Sequence, residues 1–461
     1  MKTKTALSVL LGAAFFVGSI GCGATNIVSE NVQQNNEQAA VSATSTPTPA
    51  VAVLPATPSP TPLPSAAPGV SSSSQAASSS SAGPSSVGPN PADVPQGYNP
   101  LTGLPASDPS LLSLPAVLIS ITNFPPSSRP QSGLSFAPWV FEIYISEGMT
   151  RFLATFYGDF PHSGQINGLL ATQPGNPPVN QGSGQGAGQG AGQGTGQAQT
   201  QNQAVQPPSM DVGPVRSGRL PYVYIHSFFQ DSCLVYAGAT YQIRSQLRGC
   251  ASVFGSDSTN VNSAMLDVSR LQKIAEQNQQ TGHTFNYTGN LFSSQAAAQG
   301  APANVIDIFY SFLNQAQWQF DSAVGKYLRF DDFADGSGKF KPATDRLTGQ
   351  QLAFSNVIVL FAEHDAIQPY IIDIKLDAGE KGKAVVFRDG QRFDVFWTTV
   401  AGPYEQTTGL RRPIRFVDAN GNPFALKPGN SWVHVVTIPS DVIDKGNATW
   451  LVRFYAPAGA K

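Results

Sequence analysis

RPQSGLSFAPWVFEIYISEGMTRFLATFYG, residues 129–158, is the stretch that decides the fold. Its segment WVFEIYISE alternates in polarity, with Trp139 and Glu142 on opposite faces, as a half-buried strand does. EGMT then indicates a tight turn, and RFLATFY alternates again. The stretch therefore predicts a β-hairpin that carries Glu142, Glu147 and Arg151 on or beside adjacent strands.

A second polar segment, GPVRSGR at residues 213–219, supplies Arg216 and Arg219 among glycines, ahead of the strand-like YVYIH at residues 222–226. Arginine side chains form bidentate hydrogen bonds with carboxylates or phosphates. Two carboxylates can serve as acid and base in glycoside hydrolysis. Together with the hairpin, the segment predicts either a salt-bridge network that fixes strand order or a binding or catalytic site.

The N-terminal residues have the form of a bacterial lipoprotein signal. Lys2 and Lys4 precede an apolar run over residues 6–20, which is short for a membrane span. The run ends in Ser-Ile-Gly-Cys22, which resembles a lipobox, where cleavage precedes the cysteine and a palmitate-type lipid is attached to it. We expect a signal peptide over residues 1–21 and a membrane anchor on Cys22. The alternative is an ordinary secretory signal with an incidental cysteine.

Two tracts have low-complexity sequence. Residues 22–95 are rich in Ser, Pro and Ala and contain no Lys, Arg or aromatic residue, while residues 174–210 are rich in Gly and Gln and contain no charge. Such compositions bury too little apolar surface to offset chain entropy. They predict a disordered stalk and a disordered insert within one domain.

Composition and missing motifs narrow the function classes. The net charge of −2 and the pI of about 6.2 disfavour a nucleic-acid partner. The sequence has no Walker A loop, G-x-S-x-G elbow, H-E-x-x-H motif or C-x-x-C motif, so we expect no cofactor and no metal. Cys233 and Cys250 either form a disulfide outside the cytoplasm or stay as two small buried residues.

The length of 461 residues and the remaining patterns predict an α/β protein of the α+β type with two folded regions. The segment MLDVSRLQKIAEQ has apolar residues at helical spacing, with Asp267 placed to cap the helix. Farther on, NVIVLF, AVVFRDGQRFDVFW, WVHVV and WLVRFY indicate a β-rich region. We expect one domain over residues 96–300 and a second over residues 301–461.

Taken in order, these motifs resemble the YerB-like bacterial lipoproteins, which carry a domain of unknown function in two parts. The resemblance covers about residues 98–440 and rests on NPLTGLP, the hairpin stretch and GPVRSGR. It implies a layered N-terminal domain with a mixed sheet and helices, then a β-rich C-terminal domain. Tyr236 stands where the family often has a histidine, and the family's P-H-N element is not recognisable near residues 261–263.

Residues that match the family pattern make up the candidate site. The ligand-binding candidates are Arg129, Gln131, Ser132, Glu142, Glu147, Thr150, Arg151, Arg216, Ser217 and Arg219, and the catalytic candidates are Glu142 and Glu147.

Three functions fit these observations. The first is a membrane-anchored, extracytoplasmic protein that binds or scaffolds a cell-envelope component, such as a glycan or an anionic polymer. The second is an envelope hydrolase that uses a Glu/Arg site. The third is a docking module for a protein partner. We favour the first and expect no enzyme activity.

Overall fold

The computed structural model describes residues 84–461 except 163–164, 167–209, 254–259, 261, 281, 283–284, 297–299 and 378. The predicted signal peptide, Cys22, most of the predicted stalk and residues 174–209 of the insert lie outside the described residues. The end of the predicted stalk is ordered instead, because Ser86–Val87 forms a strand and Val87 is buried. The prediction of a stalk up to residue 95 was therefore wrong for residues 84–95.

The described residues form strands, α-helices and short 3-10 turns. The strands up to residue 302 are β1 (Ser86–Val87), β2 (Tyr98–Asn99), β3 (Leu104–Pro105), β4 (Val117–Thr122), β5 (Trp139–Ser146), β6 (Met149–Phe156), β7 (Asp211–Val212), β8 (Cys233–Tyr236), β9 (Ala251–Ser252), β10 (Leu266–Asp267), β11 (Leu291–Ser293) and β12 (Ala301–Pro302). The later strands are β13 (Val305–Ser311), β14 (Asn314–Asp321), β15 (Lys326–Asp332), β16 (Phe340–Pro342), β17 (Ala353–Phe354), β18 (Asn356–Ala362), β19 (His364–Gln368), β20 (Ile371–Ile374), β21 (Lys381–Arg388), β22 (Gln391–Thr398), β23 (Arg415–Val417), β24 (Ala425–Leu426), β25 (Ser431–Thr437), β26 (Asp441–Gly446) and β27 (Thr449–Arg453). The helices are α1 (Tyr222–Phe228), α2 (Tyr241–Arg244), α3 (Val268–Asn278) and α4 (Pro403–Thr408).

Within the described residues, eleven strands build one mixed sheet in the order β12-β22-β21-β18-β25-β5-β6-β4-β8-β9, with β23 also paired to β22. Strand β25 lies parallel to β18 on one side and parallel to β5 on the other. The sheet therefore crosses the boundary that we expected near residue 300. The two sequence regions do not have separate cores, because β25 from the second region completes the sheet of the first.

A second, seven-stranded sheet in the described part of the chain has the order β16-β15-β14-β13-β27-β26, with β17 paired to β15. The two sheets meet at Trp318 of β14 and Trp432 of β25, whose ring centroids are 5.4 Å apart. Phe152 of β6 and Phe354 of β17 pack edge-on against the Trp432 ring. All four rings are almost fully buried, so apolar burial at this junction is a main source of stability.

The predicted hairpin is present as β5 and β6, and the α+β fold class is confirmed. Asp267 caps α3 as expected, since its side chain accepts a hydrogen bond from the Ser269 N–H. The strand predicted over residues 222–226 was wrong, because that segment is helix α1. Its buried residues Tyr222, Ile225 and Phe228 recur every three positions, which is a helical period rather than a strand period.

Candidate functional site

A β-bulge in the hairpin decides which candidate side chains can meet. Ser146 pairs with Met149 but Tyr144 pairs with Thr150, so Ile145 is an extra residue in β5. Beyond the bulge, Glu142 lies opposite Phe152 and Ile143 lies opposite Arg151. Directly paired residues share a face of the sheet, and successive residues lie on opposite faces. Glu142 and Arg151 therefore point away from each other, and the predicted set of acids and arginines is split between the two faces.

The Glu142 carboxylate is closed inside the junction between the sheets. It has no exposed surface, and it accepts hydrogen bonds from the Thr150 hydroxyl at 2.8 Å and the Trp432 indole N–H at 3.0 Å. Its charge is matched by Arg329 of β15, whose Nη1 lies 3.1 Å from Glu142 Oε2. A carboxylate held by these donors has no open side toward a substrate. The structure thus places this catalytic candidate in a structural network.

Arg329 and His434 complete this network, although no sequence motif points to either residue. The Arg329 guanidinium also pairs with Asp331 and lies 4.3 Å from the centroid of the Trp432 ring. Burial alone would lower the pKa of Arg329, but the Glu142 and Asp331 carboxylates outweigh it and leave that pKa above its usual value.

His434 stays neutral beside the Glu142–Arg329 pair. Burial, aided by the charge of Arg329, holds the pKa of His434 well below its usual value. Its Nε2 accepts from the Trp318 indole N–H at 3.0 Å, so the proton of the neutral ring is on Nδ1, 3.3 Å from Glu142 Oε2.

Three other candidates also hold loops in place. Arg129 forms a buried ion pair with Asp332 at 2.8 Å. The Gln131 amide donates to the Thr122 carbonyl at 3.1 Å, and the Ser132 hydroxyl donates to the Asp211 carbonyl. These contacts tie the segment before β5 to its neighbours, which is a structural role.

Glu147, the other catalytic candidate, lies exposed at the tip of the hairpin. It and Gly148 are the two central residues of the turn, with φ angles of 50° and 73°. Both values are positive, as a two-residue type I′ turn requires. Glu147 therefore lies in the turn, whereas Glu142 lies within strand β5. The structure does not bring the two carboxylates together as an acid–base pair.

Arg151, Arg216 and Arg219 come together on the opposite face of the sheet, and we call them the arginine triad. Arg151 projects from β6, while the backbone of Arg216 donates to Ser120 of β4 and thereby holds the GPVRSGR segment against the sheet. Arg151 Nη1 donates to the Ser217 carbonyl at 2.9 Å and to its hydroxyl at 3.2 Å. The hairpin stretch and the GPVRSGR segment, which are separate in sequence, thus contribute to one cluster.

Electrostatic repulsion is evident within the arginine triad. Burial and the charges of Arg219 and Arg216 lower the pKa of Arg151 to about 9, although Tyr222 acts in the opposite direction. Burial and the neighbouring Arg216 also lower the pKa of Arg219. Arg151 still carries its charge at neutral pH. Among the residues that the structure describes, no acid forms an ion pair with any of the three arginines.

Several donors of the triad are buried without an acceptor. They are Arg151 Nε, Arg216 Nε, Arg216 Nη1 and Arg219 Nε. A buried unpaired donor costs about 1–3 kcal/mol, and more when it is charged. Arg216 and Arg219 are only partly buried as whole residues, so the cluster reaches the surface. An anion placed there would supply both the missing acceptors and the missing negative charge.

Near the triad, Cys233 of β8 and Cys250 are joined as a disulfide, with their Cα atoms 5.4 Å apart. That separation lies in the usual range for a disulfide. The bond fixes the segment between β8 and β9, which flanks the triad on the edge of the large sheet.

A separate groove runs along the other end of the same sheet. One part of it, of about 710 Å³, and an adjoining part of about 570 Å³ share Lys381, Lys383, Phe396 and Trp397. Phe396 is exposed, but the first part also contains acids and bases in equal number: Glu363, Glu380, Asp394 and Asp441 against Lys375, Lys381, Lys383 and Arg392. The charges that line this part of the groove are balanced, whereas the arginine triad carries an excess of positive charge.

The fold and the two-part motif define a class of protein with two interlocked domains, and comparisons with protein families identify that class. The family described as protein of unknown function DUF3048 matches with its N-terminal domain over residues 101–167 and with its C-terminal domain over residues 306–433. The chain therefore carries both DUF3048 domains, in the order that the motifs predicted.

The chain is homologous to YerB of Bacillus subtilis strain 168, which is named "Putative lipoprotein YerB". The two sequences are 25% identical over 356 residues, which is 73% of this chain and 85% of the relative. A crystal structure of the YerB protein from Bacillus subtilis aligns with a TM-score of 0.49 and 23% identity, over 74% of this chain and 96% of that chain. The resemblance to the YerB-like family is confirmed. In the described part of the chain, no helix has both the length and the apolar character needed to cross a membrane.

Proposed function

We propose that this chain is a membrane-anchored, extracytoplasmic protein that binds an anionic component of the cell envelope at the arginine triad, without catalysing a reaction. The observation that carries the proposal is the convergence of three guanidinium groups with four buried unpaired nitrogens and no described acid to neutralise them. Oppositely charged ligands are the partners that such a cluster stabilises.

The location in this proposal rests on the N-terminal sequence and on the relative. Cys22 follows a short apolar run in a lipobox-like context, and YerB is named as a lipoprotein. The low-complexity residues that follow Cys22 would act as a spacer between the lipid and the folded part. A lipid anchor and a spacer would hold the arginine triad within reach of envelope polymers.

Hydrolysis is less well supported than binding. Glycoside hydrolysis requires two carboxyl groups that face one another across a bond. Glu142 is sealed between the sheets, and Glu147 is an exposed turn residue. The arginine triad has several donors and, among the described residues, no carboxylate paired with them, and that composition suits recognition of charge.

Co-sedimentation with purified cell-wall preparations tests the proposal. The full chain with Cys22→Ala lacks the lipid, so retention does not depend on the lipid anchor. We expect retention that falls as salt rises and that is lost in the triple variant R151Q/R216Q/R219Q. The matched control is R244Q/R270Q/R453Q, which removes the same charge from three exposed arginines. Equal retention of the two triple variants would contradict the proposal.

The anchor is tested separately. Wild-type chain expressed in bacteria should incorporate labelled palmitate, and the Cys22→Ala chain should not. Equal labelling of the two chains would remove the lipid anchor from the proposal and leave the binding site unaffected.

A further inference from the structure

We infer that the anion recognised by the arginine triad carries a phosphoryl group rather than a carboxylate. This inference rests on the proposed function, because it names the chemical group that the same site binds. It follows from three features of the described residues: the number of donors that lack an acceptor, the excess of positive charge, and the two separate backbone segments that carry the arginines.

The number of unpaired donors favours a ligand with more than two oxygens. Arg151 Nε, Arg216 Nε, Arg216 Nη1 and Arg219 Nε all lack an acceptor. A carboxylate offers two oxygens in one plane, and one bidentate guanidinium is enough to occupy both of them. A terminal phosphate offers three oxygens, each able to accept more than one hydrogen bond, so it can satisfy several guanidinium groups at once.

The charge of the cluster leads to the same conclusion. Burial, together with the repulsion between the guanidinium groups, lowers the pKa of Arg151 and Arg219, and the described residues include no acid paired with them. A carboxylate would neutralise one positive charge and leave two. A phosphate monoester carries close to two negative charges at neutral pH. A chain of phosphodiesters presents repeated single charges, which several arginines can share.

The arginines of the triad are held by two separate backbone segments. Arg151 comes from strand β6, whereas Arg216 and Arg219 come from an irregular segment that is hydrogen-bonded to β4 and to Gly238. Donors on two separate backbone segments can contact different oxygens of one ligand.

Two hydroxyl-bearing residues hold the triad in place. Ser217 accepts from Arg151 Nη1 through both its carbonyl and its hydroxyl, which fixes that end of the guanidinium. The Tyr222 hydroxyl, 3.0 Å from the Ser120 hydroxyl, keeps helix α1 against the sheet beside the arginines. Both are positioning residues, and the arginines are the ligand-contacting ones.

Isothermal titration calorimetry on the full chain with Cys22→Ala tests the inference. The probes are inorganic phosphate, glycerol 3-phosphate, a poly(glycerol phosphate) chain, acetate and glucuronate. We expect the phosphoryl probes to bind at least about tenfold more tightly than acetate and glucuronate. We also expect R216Q and R219Q to weaken phosphoryl binding about ten- to a hundredfold each, as loss of charge-assisted hydrogen bonds does.

Two further variants keep the test independent of folding defects. R219K retains the charge but loses the planar guanidinium that can donate two parallel hydrogen bonds. It should therefore bind phosphate with an affinity between those of wild type and R219Q. R453Q removes an exposed arginine outside the triad and should bind as wild type does. Tighter binding of monoester than of polymer would identify a small phosphorylated ligand, and the reverse would identify a phosphodiester polymer.

The inference is overturned if acetate or glucuronate binds as tightly as phosphate, or if R216Q and R219Q bind phosphate as wild type does. Its failure is distinct from failure of the proposed function. Triad-dependent retention on cell walls together with preferential glucuronate binding would retain the function and reject the phosphoryl group. Phosphate binding without retention on cell walls would retain the phosphoryl group and reject the proposed function.

Discussion

Removing Arg329 should strongly destabilise the junction between the sheets. Arg329 is 1% exposed, and its guanidinium lies 3.1 Å from Glu142 Oε2 and 2.9 Å from Asp331 Oδ1. In R329M the methionine fills similar space over the Trp432 ring, but two buried carboxylates lose their counter-ion. Breaking a buried pair from one side costs about 3–5 kcal/mol. We expect a loss of that size in the free energy of unfolding.

The partner variant E142Q should cost less, about 1.5–3 kcal/mol. Arg329 keeps Asp331 in that variant, and the glutamine oxygen can still accept from Thr150. In the double variant, position 142 has no carboxylate, so the loss of Arg329 leaves no unpaired charge there. The double variant should therefore be more stable than the sum of the two losses predicts, by at least about 1 kcal/mol.

Urea unfolding followed by tryptophan fluorescence and by far-UV circular dichroism measures these losses as shifts in midpoint. The two probes should give one coincident transition, which justifies comparing free energies. R453Q, at an exposed position, is the control and should shift the midpoint little. A loss below about 1 kcal/mol in R329M, or strict additivity in the double variant, would refute the view that this pair holds the two sheets together.

Three other outcomes are expected. A fragment of residues 301–461 should lack cooperative unfolding by calorimetry, because β25 would lose its parallel partner β5; a sharp transition in the fragment would contradict the shared core. Glu147→Asn should raise the free energy of unfolding by about 0.5–1 kcal/mol, since asparagine tolerates a positive φ better, and an unchanged midpoint would argue against a type I′ turn. Burial lowers the pKa of His364 to about 4, so below about pH 6.5 the unfolded state binds a proton that the folded state does not. The contribution of His364 to the free energy of unfolding has its full value above that pH. It falls by about 1.4 kcal/mol per pH unit as the pH drops towards 4. His364→Gln should flatten that slope, and an equal slope in the variant would count against His364 as its source.

Local patterns predicted the hairpin, the cap of α3 and most strands, because they depend on residues close together in the chain. The faces of the candidate side chains depend on the bulge at Ile145. Without that extra residue, Glu142 would pair with Leu153 and share a face with Arg151. Nothing in WVFEIYISE distinguishes a regular strand from a bulged one, so the alternation alone could not separate the acid from the arginines.

The partners of Glu142 could not be predicted from the sequence for a different reason. Arg329 and His434 reach it through pairings between segments that are far apart in sequence, and β25 lies parallel to β5 only after the rest of the chain has folded back. A single sequence holds no local signal for such a contact. The arginine triad was easier to predict, since GPVRSGR gathers two of its members in one short motif.

The parallel pairing of β5 with β25 has a consequence during synthesis. A ribosome delivers β5 early and β25 close to the end, so the polar backbone edge of β5 stays unpaired while almost the whole second region is made. An unpaired edge of apolar sequence is prone to join the same edge of another nascent chain. We expect premature termination before residue 431 to yield insoluble protein, and a chaperone that covers strand edges to raise the yield of the complete chain.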